Sequence, residues 1–176
     1  AINSFSLNNR NKKNNIYGNY SNRFGANYDF INIYREQSNT LFDSKSKTKN
    51  EVNANNIKLG YDYYANAKNT FGVIVSGNFN NGFSNIKTRT PIKPINATVY
   101  DSILVAQSNG HNKSYNLYSN VNYKYADTLG VSLNMDLDYG KYDSKKENYQ
   151  PNIYYENDET TVLNQNNSFQ NTPVTI

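Results

Sequence analysis

The most constraining feature of the chain is a two-residue alternation of apolar and polar side chains. It is clearest in TLGVSLNMDLDYG, residues 128–140, where apolar residues at odd positions oppose small or polar residues at even positions. Successive side chains of a β-strand point to opposite faces, so this period predicts a strand with one apolar and one polar face. The apolar stripe consists of Leu129, Val131, Leu133, Met135, Leu137 and Tyr139.

The same alternation recurs in NIKLGYDYYAN (56–66), NTFGVIVSGNF (69–79) and SYNLYSNVNYKYA (114–126). The segment 14–34 predicts one long strand with a glycine bend or bulge near Gly25, and the opening INSFSLN predicts a further strand. Helical spacing fits none of these segments. We therefore predict an all-β, antiparallel chain with strands at 2–9, 14–35, 53–66, 69–82, 113–126 and 129–143, about six in number.

The connections alternate between short and long. The segments 10–14, 66–69 and 126–129 are short and rich in turn-forming residues, whereas we predict long polar loops over 36–52, 83–112 and 144–176. One of them contains DSKSKTK at 43–49, which we interpret as a solvated basic loop. Short turns at one end and long loops at the other are typical of up-and-down transmembrane β-barrels, with short periplasmic turns and long extracellular loops.

The dimensions of the stripe agree with that interpretation. Eleven residues, 129–139, span about 36 Å at ~3.3 Å each, and with a tilt of ~40° they cover roughly 27 Å, close to the ~25 Å apolar band of such barrels. Aromatic residues gather near both ends of the apolar faces, as in the two aromatic belts of a membrane protein. On this scale we expect Leu133 to lie near the middle of the membrane.

The composition narrows the class of protein. The mean hydropathy is −0.86, and 35 of the 176 residues are Asn. A chain so rich in Asn and so polar is either a disordered tract or a β-structure with one face exposed to water. No apolar run approaches the ~20 residues of a membrane helix, which excludes a helical membrane protein but not a barrel. The net charge of +4 is spread along the chain, so no nucleic-acid partner is predicted.

The alternative is a soluble antiparallel β-protein whose apolar faces pack on each other. The apolar–polar alternation alone fits that alternative. The alternation of short and long connections and the uniform strand length favour a barrel. Six strands cannot close a membrane barrel, whose minimum is about eight, and an open piece would leave two unpaired edges in lipid. We therefore expect residues 1–176 to be part of a single barrel domain, an incomplete barrel whose remaining strands lie outside the chain.

Three stretches resemble a known family. IYGNYSNRFGANYDFINIYR is similar to strand sequences of TonB-dependent outer-membrane receptors, in particular the outer membrane protein β-barrel family, and NIKLGYDYYANAKNTFGVIVSGNF and VNYKYADTLGVSLNMDLDYGKYD are similar to hairpins of that family. The resemblance implies a Gram-negative outer-membrane location, surrounding lipid, and a plug domain inside the barrel, which this chain lacks. It also implies energy from the TonB system, a surface lipoprotein as a partner, and import of a bulky nutrient such as a siderophore, cofactor or glycan.

Charged residues on the proposed lumen face are the candidate contacts for the substrate or the plug. Asp136 and Asp138 point the same way and could form a general acid/base pair or line water, but they lack the ligand count of a calcium site. The only histidine, His111, is expected to be a solvated loop residue. No catalytic triad, phosphate-binding loop or Cys/His cluster can be assembled, so no enzyme, cofactor or metal is predicted. The candidates are Lys58, Asp62, Lys124, Asp136 and Asp138.

Two functions from different classes follow. The favoured hypothesis is the barrel-wall portion of a TonB-dependent receptor. The alternative is an Asn-rich surface adhesin or structural β-protein.

Overall fold

The computed structural model describes residues 1–176, and they form one seven-stranded antiparallel sheet without helices. Neighbours in the chain are neighbours in the sheet, so the topology is an up-and-down meander. No helix has the length and apolarity needed to cross a membrane. The strands are β1 (Ile2–Arg10), β2 (Asn14–Gln37), β3 (Thr40–Tyr64), β4 (Asn69–Pro94), β5 (Ser102–Ala126), β6 (Ser132–Tyr155) and β7 (Val162–Thr175).

The predicted all-β, up-and-down arrangement is confirmed, but the predicted strand number and loop lengths are wrong. A seventh strand, β7, lies inside the predicted loop 144–176. The predicted loop 36–52 contains only a two-residue turn, Ser38–Asn39, with φ values of 49° and 61°. Two successive positive φ angles are those of the tight hairpin turn that matches strand twist. The other two connections at this end, 95–101 and 156–161, are also short.

The error has a physical cause. The sequence prediction followed apolar side chains, whereas a β-ladder is held by backbone hydrogen bonds that form equally well between polar segments. The SKSKTK segment itself alternates, with lysines at odd positions and Ser or Thr at even ones, and it lies within β3. Strands β3 to β6 are therefore 24 to 26 residues long.

One other expectation about β2 is resolved. The predicted long strand is a single element, and its register with β3 runs without interruption from Asn14 to Gln37, so there is no bulge. Gly25 adopts a φ of 150°, a conformation that favours glycine. Conversely, Leu129 and Val131 precede β6 and belong to the turn after β5.

The sheet is a single layer and is not closed into a barrel. Only ten of the 176 residues are buried. Leu41 and Ile103 are buried at the end of the sheet that carries the 38–39 turn, and Ala54 is buried in the middle of β3, whereas many large apolar side chains elsewhere are exposed. Both outer strands leave part of their neighbour unpaired: β1 pairs with residues 15–23 of β2, and β7 pairs with residues 143–155 of β6. The sheet thus has two free edges and two uncovered faces.

Candidate functional site

The register aligns the apolar stripes of separate strands into one band across the sheet, here called the apolar band. Residues directly opposite each other in an antiparallel pair share a face. Starting from β2, one row across the band is Ile16, Tyr61, Val73, Val121 and Leu137. The next row with side chains on the same face is Gly18, Leu59, Val75, Ser119 and Tyr139.

Aromatic rings lie at both margins of the apolar band. On the side of the 65–68 and 127–131 turns, Phe71 and Tyr123 are directly opposite, with ring centroids 4.9 Å apart. At the far margin Phe79 is opposite Tyr115. On β5 the band runs from Tyr115 to Tyr125, about 33 Å along the strand at ~3.3 Å per residue, or roughly 25 Å in height at a tilt of ~40°.

No other layer covers the apolar band. Val121 is 55% exposed and Leu137 is 73% exposed, although both lie in its middle. With ~4.8 Å between strands, the band over six strands measures roughly 33 by 24 Å, or about 800 Å². The largest apolar patch on a typical soluble monomer is about 300–600 Å². The band is therefore larger than a soluble monomer normally exposes.

The opposite face of the same strands, here called the polar face, carries amide, hydroxyl and charged groups. One row across it is Asn15, Asp62, Gly72, Asn122 and Asp136. The row next to it on this face is Tyr17, Gly60, Ile74, Asn120 and Asp138, and the following row is Asn19, Lys58, Ser76, Tyr118 and Gly140.

A hydrogen-bonded cluster on β5 and β6 organises the polar face. The Asn120 side-chain amide donates to Asp138 Oδ1 at 2.8 Å and to Asp136 Oδ1 at 3.4 Å. The Tyr118 hydroxyl donates to the same Asp138 oxygen. Asn122 Nδ2 donates to Asn120 Oδ1 at 2.9 Å. Asn120 is only 7% exposed, so the amide that joins the two carboxylates is held in place by its surroundings.

Two glycines let larger side chains lie flat on the polar face. A Cβ added to Gly72 would be 2.5 Å from Asn122 Oδ1, so the amide occupies the space above this glycine. Gly60 is covered in the same way by the Tyr17 ring. These strands therefore present a low, hydrogen-bonding surface in which side chains lie along the sheet.

All five predicted site residues lie on this one face, but only two of them converge. Asp136 and Asp138 meet at Asn120. Asp62 accepts a hydrogen bond of 3.0 Å from Asn15 and is three strands away from Asp136 in the same row, about 14 Å at ~4.8 Å per strand. Lys58 and Lys124 form no ion pair with these carboxylates.

Tyr118, Asn120 and Asn122 complete the cluster and were not among the predicted site residues. Their spacing of two residues places them on the polar face, which the sequence pattern indicates. Their pairing with the aspartates depends on the register of the β5–β6 hairpin, which places Asn120 opposite Asp138 and Asn122 opposite Asp136. No sequence signal selects these partners, because a register shifted by two residues would keep every side chain on its face.

The expectation for His111 is wrong, because this residue lies within β5 and not in a loop. Its ring stacks on Phe83 with centroids 4.3 Å apart and planes at 3°, and Nε2 is 2.7 Å from Asn81 Oδ1. Glu147 lies on its other side, 3.9 Å from Nδ1. The Lys145 ammonium, hydrogen-bonded to Glu147, lowers the pKa of that carboxyl below its usual value.

The polar cluster is equipped to bind through hydrogen bonds. Its two aspartates offer acceptor oxygens, and the Asn and Tyr side chains beside them both donate and accept. No three His, Cys, Asp or Glu side chains come together as a metal site would require. No protein-family model matches the chain, and no curated protein matches it.

Proposed function

We propose that this sheet is part of the wall of an outer-membrane β-barrel, with the apolar band in contact with lipid and the polar face lining the lumen. The observation that carries the proposal is the alignment of the apolar band by the register. A strand that crosses a membrane needs an apolar outer face about 25 Å high with aromatic margins, and a polar inner face. The band on β5 has that height and those margins.

The two free edges fit the same proposal. An edge strand in hydrocarbon would leave backbone N–H and C=O groups without partners, each at a cost of several kcal/mol. Lipid-facing sheets are therefore closed, and seven strands are fewer than the minimum of about eight. We infer that further strands pair with the free edges of β1, β2, β6 and β7 in the complete barrel.

The narrower proposal is a TonB-dependent receptor that imports a bulky nutrient. Its support is the resemblance of the three sequence stretches to that family, together with a cluster on the polar face that can form hydrogen bonds. In this proposal Asp136, Asp138, Asp62, Lys58 and Lys124 contact the nutrient or the plug. The strand segments beyond the apolar band extend the barrel wall above the membrane surface. In this proposal the nutrient is captured at that outer end.

Single cysteines test the membrane proposal, because the chain has no cysteine of its own. Val75→Cys places a fluorescent label on the apolar band, and Asn78→Cys, three residues along the same strand, places it on the polar face. In lipid bilayers, nitroxide-bearing lipids should quench the label at position 75 and leave the label at position 78 largely unquenched. A water-soluble quencher should give the reverse order.

The alternative, a secreted adhesin or structural β-protein, predicts a different result. Such a protein would stay in solution without detergent, and the water-soluble quencher would reach both labels equally. That outcome would exclude the membrane proposal.

The receptor proposal needs a cellular test. Cells that produce the complete protein should gain growth on a limiting siderophore, cofactor or glycan only when their TonB system is intact. Replacing Asp136 and Asp138 by Asn should reduce that gain without lowering the amount of protein in the outer membrane. Growth that does not depend on TonB would rule out this receptor class.

A further inference from the structure

A second charged surface lies outside the cluster described above, on the face of the apolar band but farther from the 65–68 turn. Lys45, Lys47 and Lys49 alternate along β3 and therefore share this face. On the neighbouring strand β4, Lys87 and Arg89 face them. Five basic side chains are thus gathered on two adjacent strands.

The register pairs these cations with each other. Lys47 is directly opposite Lys87, and the next pair on the same face is Lys45 opposite Arg89. Like charges directly opposite in an antiparallel pair destabilise the sheet. Two consecutive pairs of this kind break a local rule of strand pairing, and such violations are expected at functional positions.

Carboxylates neutralise only part of this charge. Lys49 Nζ is 2.6 Å from Glu51 Oε1, Lys45 Nζ is 3.8 Å from Asp43 Oδ2, and Arg89 pairs with Glu159. Lys47 and Lys87 have no carboxylate within 4.0 Å. The two central lysines of the group are therefore the ones without an acidic partner.

An open groove of about 310 Å³ lies at these two lysines and is here called the lysine groove. Lys47 Nζ also lies 5.7 Å and 5.6 Å from the ring centroids of Tyr28 and Phe30, which are themselves exposed. Exposed aromatic faces beside ammonium groups suit a ligand that carries negative charge on rings with apolar C–H faces, as charged sugars do. The groove is lined by Tyr28, Lys47, Lys49, Asn85 and Lys87.

The distance of the groove from the apolar band limits which class of ligand can reach it. This step rests on the membrane orientation of the proposed function. Lys87 is eight residues beyond Phe79, the aromatic margin of the band, which is about 26 Å along the strand and roughly 20 Å in height. The headgroup region of a bilayer extends only about 5–8 Å beyond the hydrocarbon on each side. A phospholipid headgroup would not reach the groove, whereas an oligosaccharide that projects from the surface would.

We infer that the lysine groove binds an anionic oligosaccharide, with Lys47 and Lys87 contacting its phosphate or carboxylate groups and Tyr28 and Phe30 lying against its sugar rings. Such a ligand would neutralise the charges of Lys47 and Lys87, which have no carboxylate partner in the sheet. Its source is either a surface glycolipid or a free acidic glycan, which share this chemistry.

Binding can be measured with the whole chain in detergent micelles, so the measurement does not require a bilayer. The probe is a phosphorylated core oligosaccharide released from bacterial lipopolysaccharide, titrated by calorimetry at low salt. We expect saturable binding that weakens at least tenfold in 0.5 M NaCl, because ion pairing at an exposed site is screened. The same saccharide still linked to its lipid should bind more tightly than the free saccharide if a surface glycolipid is the source, and no more tightly if a free glycan is.

The double variant Lys47→Gln with Lys87→Gln should bind the oligosaccharide at least tenfold more weakly than the unmodified protein. Lys12→Gln with Lys13→Gln, in the exposed turn between β1 and β2, removes the same charge from the other end of the sheet. This control pair should bind normally. Far-UV circular dichroism should show that both variants keep the β-sheet signal.

Several results would overturn the inference. They are an equal loss of binding in the control pair, equally tight binding of a phosphate-free maltooligosaccharide, and tighter binding of an oligothymidylate or of phosphatidylglycerol vesicles. Failure of the membrane proposal has a different signature, in which the quenching experiment fails while the micelle titration still shows binding of the free oligosaccharide.

Discussion

The Tyr17 ring on β2 lies over Gly60, the residue directly opposite it on β3. A Cβ at position 60 would clash with Tyr17 Cζ, so the ring fills the space that a side chain would take. An aromatic cover of this kind compensates for the missing side chain of a glycine within a strand. It makes the polar face locally smooth beside Asp62.

This relationship predicts that the two positions are energetically coupled. Gly60→Ala should raise the free energy of unfolding by about 0.5–1 kcal/mol in a Tyr17→Ala background, since alanine is favoured over glycine inside a strand. When the Tyr17 ring is present, Gly60→Ala should not raise the free energy of unfolding, because the added methyl group displaces the ring from its contact with residue 60. Urea unfolding of the four proteins of this cycle measures the coupling, and strictly additive effects would show that the contact carries no energy.

The apolar band predicts a cost that depends on depth. Val121→Arg, in the middle of the band, should lower the free energy of unfolding in bilayers by about 2–4 kcal/mol, and Leu133→Arg by only about 0–1 kcal/mol. Leu133 is the second residue of β6 and lies opposite Tyr125, at the margin of the apolar band and not near its middle as its sequence position suggested. Asn116→Arg on the polar face of β5 is the control and should be mild.

Equal costs at positions 121 and 116 would contradict the assignment of the two faces. A cost at position 133 as large as that at position 121 would leave the faces intact but place the band differently along the strands.

The turn between β6 and β7 predicts a local effect of acid. The backbone N–H groups of Thr161 and Thr160 and the Thr161 hydroxyl donate to the Asp158 carboxylate and lower its pKa far below the usual value. Because the pKa is lowered by folding, this contribution is present above the unfolded value of about 3.9 and is lost as the pH falls through the folded value. The amide NMR signals of Thr160 and Thr161 should therefore stay unchanged as the pH falls through about 3.9, the ordinary aspartate pKa, and should shift only in stronger acid.

The matched variant is Asp158→Asn, whose side-chain oxygen still accepts a hydrogen bond but does not titrate. Its amide signals should lack the acid transition. A transition that persists in this variant would assign the effect to another group.

The lysine groove predicts that one substitution stabilises the sheet. Lys87→Glu turns the like-charged pair with Lys47 into an ion pair and should raise the free energy of unfolding by about 0.2–1 kcal/mol at low salt. Lys87→Gln removes only the repulsion and should give a smaller gain. Both gains should shrink in 0.5 M NaCl. Thermal unfolding at two salt concentrations measures them, and a destabilised Lys87→Glu protein would mean that the two side chains do not face each other.

Much of this fold could be predicted from local pattern. A period of two is a property of the strand itself, so the apolar and polar faces of β3 to β6 follow from positions such as Leu59, Val75, Val121 and Leu137. The same period places Asp136 and Asp138 on one face. Where a strand has polar side chains on both faces, as over residues 43–51 of β3 and 107–112 of β5, apolar periodicity carries no signal, and the sequence pattern predicts loops there.

The partners across strands could not be predicted in the same way. Whether Asn120 meets Asp138, or Lys47 meets Lys87, depends on a register set by all the backbone hydrogen bonds of a pair and by the turn that begins it. A shift of two residues would keep every side chain on its face and change every partner.

By itself the sequence determined that the chain forms strands and which face of each strand is apolar, because both properties depend on neighbours along the chain. The tertiary structure alone decided that the stripes line up into one continuous band, that the strands extend past it, and that five cations meet on two adjacent strands. These features depend on pairing between residues tens of positions apart, which only the complete hydrogen-bonded sheet specifies.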